Sequence, residues 1–116
     1  MNIEEFRDFC LSFRSVTEEF PFDEETLVFK VMGKIFALTD VDNFTSVNLK
    51  CDPEIALELR EKYPWVKPGY HMNKKHWNTV MVNAGISDQL IKDWTRHSYE
   101  LVVKGLPFKI RKELES

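Results

Sequence analysis

Cysteine is scarce in this chain of 116 residues. There are two, Cys10 and Cys51, with no CxxC spacing between them. That count argues against a disulfide scaffold and against a four-ligand zinc knot, and it leaves both thiols as small buried hydrophobes in a reducing compartment. Glycine is also rare, at four residues. Phosphate-cradling Gly-rich loops are correspondingly scarce, and no P-loop, dinucleotide fingerprint or GxSxG elbow is present. No run approaches the roughly 20 consecutive apolar residues of a membrane helix, so no membrane partner is expected. The opening Met1-Asn2-Ile3-Glu4-Glu5 is acidic and lacks the basic-then-apolar order of a signal peptide, so a cytoplasmic location is expected. Repeats, low-complexity tracts and Gly/Ser/Pro-rich linkers are all missing, which argues for one domain over residues 1–116.

What is present is the material of a packed interior. Apolar residues make up 43% of the chain, with nine Phe, three Tyr and three Trp among them. A chain of this length buries roughly two-thirds of the surface exposed when unfolded, so a core forms without staples. The net charge of −3 hides an asymmetry: residues 1–61 carry six Lys/Arg against fourteen Asp/Glu, whereas residues 62–112 carry ten Lys/Arg against three acids. The split is that of one acidic and one basic face, or of two halves that interleave in space and cancel.

Local patterns divide the chain into elements. Asn2 caps a first helix with Glu5 as its capping-box partner, and Ile3, Phe6, Cys10 and Phe13 recur at helical spacing. Pro21 closes that region. Thr26 to Met32, a turn at Gly33-Lys34, and Ile35 to Thr39 read as a β-hairpin. A second turn at Asp40 to Asn43 leads to the alternating strand Thr45 to Lys50, which completes a three-stranded meander. Asp52-Pro53 starts a helix with Ile55, Ala56, Leu59 and Tyr63 as its buried stripe, and Pro64 stops it. Extended segments follow at Trp65 to Tyr70 and His76 to Asn83. Ser87 caps the longest helix, which Gly105 ends, and Pro107 opens a short last one to Leu114. The order is α-βββ-α-ββ-α-α, an α+β fold with an antiparallel sheet packed on helices.

One segment concentrates functional side chains: Lys67-Pro68-Gly69-Tyr70-His71-Met72-Asn73-Lys74-Lys75-His76-Trp77. Lysines at a hairpin tip suit phosphates, Tyr70 and Trp77 offer stacking surfaces, and His71 and His76 can donate to phosphate. Against that stand the solvated Lys pair common at turns and a Trp77 that opens an apolar strand and belongs to the core. This run, Pro68 to Val80, closely resembles the signature of the MmcQ/YjbR family of small bacterial proteins. Glu19 to Phe22, Thr26 to Val31, Gly33 to Leu38 and Ser98 to Val102 resemble further parts of it, so the likeness spans essentially the whole chain. The resemblance implies a CyaY-like (frataxin-like) α+β fold and a double-wing DNA-binding protein. The wings fall at Gly33-Lys34 and at Asn73-Lys74-Lys75. Lys34, Lys67, Tyr70, His71, Asn73, Lys74, Lys75, His76 and Trp77 are then the candidate nucleic-acid contacts, in a non-specific and salt-dependent mode.

A different class of function stays open beside that one. Tyr70, His71 and Trp77 could line a groove for an anionic small molecule or protein, with Lys67 or Lys74 as the counter-charge. Frataxins hold iron on an acidic first helix, and Glu4, Glu5, Asp8, Glu18 and Glu19 lie near that helix here; spacing alone does not make their oxygens converge, and a solubilising face explains them. Cys10, Cys51, His71, His76 and His97 lack zinc-ligand spacing. No catalytic motif is found, so no catalytic residue, metal or cofactor is expected.

Overall fold

A computed structural model describes residues 1–83 and 85–115. In chain order the elements are α1 (Ile3–Leu11), β1 (Val16–Glu19), β2 (Thr26–Val31), β3 (Lys34–Asp40), β4 (Ser46–Lys50), α2 (Pro53–Lys62), β5 (Val66–Pro68), β6 (Trp77–Met81), α3 (Asp88–Lys104) and α4 (Phe108–Glu115). The helix starts follow from their caps. Asn2 and Glu5 form the reciprocal capping box of α1, the Asp52 carboxylate accepts from the first amides of α2 with Pro53 at the first helical position, and Ser87 accepts from Leu90 N at the start of α3.

The strands form one antiparallel sheet in the order β1-β2-β3-β4-β6-β5. The meander therefore has four strands where three were expected, and the order is α-ββββ-α-ββ-α-α. The extra strand β1 reads Val-Thr-Glu-Glu and holds a single apolar side chain, too little for a hydrophobic pattern. It forms because it is an edge strand, where charged residues are favoured. Glu18 bonds to Arg7 of α1 and Glu19 to Lys30 of β2, so both carboxylates are paired. The hairpin turn also shifts by one residue: Val31 pairs with Lys34, and Met32 and Gly33 occupy the two central positions, both with positive φ (49° and 82°). The two later strands, Val66–Pro68 and Trp77–Met81, are shorter than the extended segments anticipated, and the first ends at Pro68, which lacks a ladder donor.

Cross-strand partners share a face. The rows Phe29–Ala37–Leu49–Asn78 and Leu27–Thr39–Val47–Val80–Val66 are buried and meet Phe6 of α1 and Ile91 and Val102 of α3. Phe6, Phe29 and Phe36 are fully buried, each contributing about 2–3 kcal/mol. The intervening row Glu19–Val28–Leu38–Asn48–Thr79–Lys67 lies on the opposite face. Ser98, fully buried, pins α3 to the sheet: its hydroxyl donates to the Phe36 carbonyl and accepts from Lys50 N at 2.8 Å. The expected stripe of α2 is only partly met, since Ala56 is buried but Ile55 is 39% exposed. Among the described residues no helix is long and apolar enough to cross a membrane.

Candidate nucleic-acid interface

The connection between β5 and β6 is built around a close approach of two backbones. Gly69 N donates to the Trp77 carbonyl at 2.8 Å, and a Cβ on Gly69 would stand 2.7 Å from Trp77 Cβ and 2.9 Å from that carbonyl oxygen. Only glycine fits there. Past Gly69 the chain turns with His71 in the left-handed region (φ 58°), and the Asn73 side chain accepts from Lys75 N at 2.9 Å. Tyr70 N donates to Thr79 Oγ1 at 2.9 Å.

Arg60, near the end of α2, clamps this connection. Its Nε donates to Asn78 Oδ1 at 2.7 Å, and its Nη2 donates to the Trp77 carbonyl at 3.1 Å and also to the Lys74 carbonyl. The planar fork of guanidinium donors suits these three acceptors, one side-chain oxygen and two backbone carbonyls. Sequence reasoning missed Arg60, although it sits four residues after Ala56 on the buried side of α2, and a charge on an apolar stripe is the available signal.

The nine candidate residues separate into groups. Lys74 is engaged inside the loop, its Nζ donating to the Gly69 carbonyl at 3.1 Å. Asn73 shapes the turn, and the backbone of His76 closes it, its N donating to the Asn73 carbonyl and its carbonyl accepting from Cys51 N. Lys67, Tyr70, His71 and Lys75 stand exposed. Tyr70 is 69% exposed and leans on the His71 ring at a centroid distance of 4.0 Å. None of the described ion pairs involves Lys34, Lys67, Lys74 or Lys75.

Lys34 and Trp77 meet elsewhere, in a groove of about 520 Å³ between the Met32-Gly33 turn and the last turn of α3. Lys30 and Lys50 also line it, with Leu101 and Gly105 on the helix side, and no carboxylate of the described residues does. Lys50 is the register partner of Trp77, which sets the cation beside the indole. Lys30 is paired to Glu19. The groove is not lined by Tyr70 or His71, so Trp77 is brought together with Lys34 and not with those two. Lys50 was invisible as a site residue because only strand register makes it a neighbour of Trp77, and Lys30 because only the folded sheet brings it to the same groove.

Both cysteines are buried. Burial, reinforced by the Asp52 carboxylate, pushes the Cys51 thiol up to about 11, and burial also pushes the Cys10 thiol up. A thiol held protonated is a poor nucleophile. Among the described residues no three His, Cys, Asp or Glu converge on a metal position.

The architecture and the 69–77 connection together define a class of small α+β proteins with a stapled loop beside a cationic groove. The chain belongs to the YjbR family, whose model matches residues 11–101. It is 44% identical over 95 residues to the uncharacterized protein YbdF of Escherichia coli O157:H7, covering 81% of this chain and 78% of that one. It is 33% identical over 115 residues to the uncharacterized protein YjbR of Escherichia coli K12, covering 98% of each. The crystal structure of Deinococcus radiodurans protein DR2400, a DUF419 domain, superposes with a TM-score of 0.91 at 42% identity, covering 98% of this chain and 88% of that one.

Proposed function

We propose that this protein binds nucleic acid without strong sequence preference, its phosphates meeting Lys34 and Lys50 and an unpaired base resting against Trp77. The observation that carries this reading is the groove itself: Lys34, Lys50 and an indole gather beside Lys30, which is paired to Glu19, and no carboxylate of the described residues lines the wall. Lysines positioned around an aromatic surface supply the two contributions of single-strand binding, counterion release and stacking. Lys67 and Lys75 are also exposed, Lys67 on the face of the sheet away from α3 as register partner of Thr79, and neither lines the groove. An overall charge of −3 makes the interaction weak, of micromolar strength or below, and sensitive to salt.

Fluorescence anisotropy with labelled single-stranded and duplex oligonucleotides tests it. Three to four phosphate contacts give a slope of log K against log salt of roughly −2 to −3 on single strands, and about one-quarter steeper on duplex. Replacing Lys34 and Lys50 with Ala lowers that slope by about 2 and weakens all sequences alike. Lys74→Ala lowers the slope less than loss of either groove lysine, because one of its N–H groups holds it at the Gly69 carbonyl and away from the groove. No binding near 50 mM salt, or binding indifferent to salt, sinks the proposal. The size of the groove also favours a second reading, since it falls in the range of small-ligand sites. An anionic metabolite that raises the melting temperature in proportion to its concentration, with no oligonucleotide binding, would reassign the groove to that ligand.

A further inference from the structure

A second cavity of about 230 Å³ lies between α2, α3 and the sheet, lined by Leu49, Cys51, Leu59, Val80, Trp94 and His97, with Lys50 shared between it and the cationic groove. Its walls are mostly hydrocarbon, indole and thiol. A dry apolar cavity of about 150 Å³ is already large enough for benzene, so this one holds a ring with a substituent. One buried polar group faces an incomplete set of partners. Asn78 borders the cavity and is 2% exposed. Its Oδ1 accepts from Arg60, but its amide nitrogen, which has two N–H groups, makes a single bond at 3.5 Å to the Ala56 carbonyl among the described residues. His97 Nε2 accepts a 3.4 Å bond from Asp52 N. A buried donor left short of partners in an otherwise apolar space favours a ligand that brings one acceptor. Ile55, 39% exposed, borders the cavity from α2 and gives it a side toward solvent.

We infer that this cavity is a binding site for a small neutral aromatic molecule bearing one hydroxyl or carbonyl oxygen, its ring against Trp94 and its oxygen accepting from the Asn78 amide. Neutrality follows from a surface that is almost wholly apolar although Lys50 borders the cavity, since burying a carboxylate away from water would cost several kcal/mol. The ring follows from Trp94 and the Cys51 sulfur, both of which favour aromatic contacts.

The test uses three para-substituted toluenes on the full chain: p-cresol, its isostere p-xylene, and p-toluate. p-Cresol at tenfold above its Kd raises the melting temperature by about 4 °C. p-Xylene, lacking the oxygen, binds about tenfold more weakly, and p-toluate gives no shift. Cys51 supplies a second readout that needs no variant. Labelling by methyl methanethiosulfonate at pH 9, mapped by mass spectrometry, slows about tenfold at Cys51 with p-cresol bound. Cys10 lies outside the cavity and reports global opening, so protection of Cys51 exceeds that of Cys10. Leu59→Phe fills the space and abolishes both effects while the protein still melts cooperatively. Absence of any shift or selective protection with millimolar p-cresol overturns the inference, as does equal binding of p-toluate, or binding that survives in a folded Leu59→Phe protein.

Discussion

The two turns that bracket the cationic end of the sheet are built in opposite ways. The Met32-Gly33 turn has the minimum two residues, no side-chain staple, and open space where a Cβ on Gly33 would go. The 69–76 loop is long and tightly fastened: Gly69 against Trp77, Asn73 on Lys75 N, Lys74 on the Gly69 carbonyl, and Arg60 across the base. The loop holds the richer set of functional side-chain types, yet much of that set is spent on its own shape. The sparse turn delivers Lys34 to a groove with Trp77 and Lys50. A dense motif is thus as much a specification of backbone geometry as of chemistry.

Glycine substitutions test the contrast most strongly. Gly69→Ala places a methyl group 2.7 Å from Trp77 Cβ and 2.9 Å from a backbone oxygen, neither of which can swing away. Overpacking of that kind costs about 2–3 kcal/mol. Gly33→Ala meets nothing within 4 Å and pays only the left-handed backbone penalty at φ 82°, about 1 kcal/mol. Urea melts of both variants compare the two directly. Equal losses would show that the loop is no more constrained than the turn.

Arg60→Ala comes next. It removes three hydrogen bonds and strips the buried Asn78 Oδ1 of its donor, a loss of about 2 kcal/mol once partial exposure of the arginine is allowed for. Arg60→Lys recovers little of it, because one ammonium cannot reproduce the fork. Hydrogen exchange at Gly69 N, which is bonded to the Trp77 carbonyl, should quicken in both variants while amides of the β2–β3 pair keep their protection. Full rescue by lysine would reduce the clamp to a matter of charge.

The overall architecture was legible because its signals are local. Asn2, Asp52 and Ser87 announce their helices, and Phe6, Cys10, Ile91 and Val102 follow helical spacing into the core. Strand β1 was not legible, since an edge strand of Val-Thr-Glu-Glu owes its place to Arg7 and Lys30, which lie elsewhere in the chain. The candidate site was legible in part. Lys34 and Trp77 carry recognisable chemistry, but that they share a groove with each other, and not with Tyr70 and His71, depends on the register Lys50–Trp77 and on where α3 ends. Arg60 was missed for the same reason: its three acceptors are 14 to 18 residues away.

The smallest expected effect is at Met32, and its smallness is the point. A two-residue hairpin with both central residues at positive φ favours Asn-Gly, yet this turn carries Met-Gly, with Met32 at φ 49°. Methionine in that conformation costs about 1 kcal/mol. In return, Met32 is half-buried and packs against the core cluster, which contributes about 1 kcal/mol for a side chain partly removed from water. Met32→Asn relieves the first and forfeits the second, so stability should move by less than about 0.5 kcal/mol. Met32→Val keeps apolar surface but puts a β-branched residue at positive φ, and should lose more than about 1 kcal/mol. If Met32→Asn instead gained a full kcal/mol, the packing of Met32 would count for little. The turn would then be held in an unfavourable residue for a reason other than stability, such as the contact surface it presents beside Lys34.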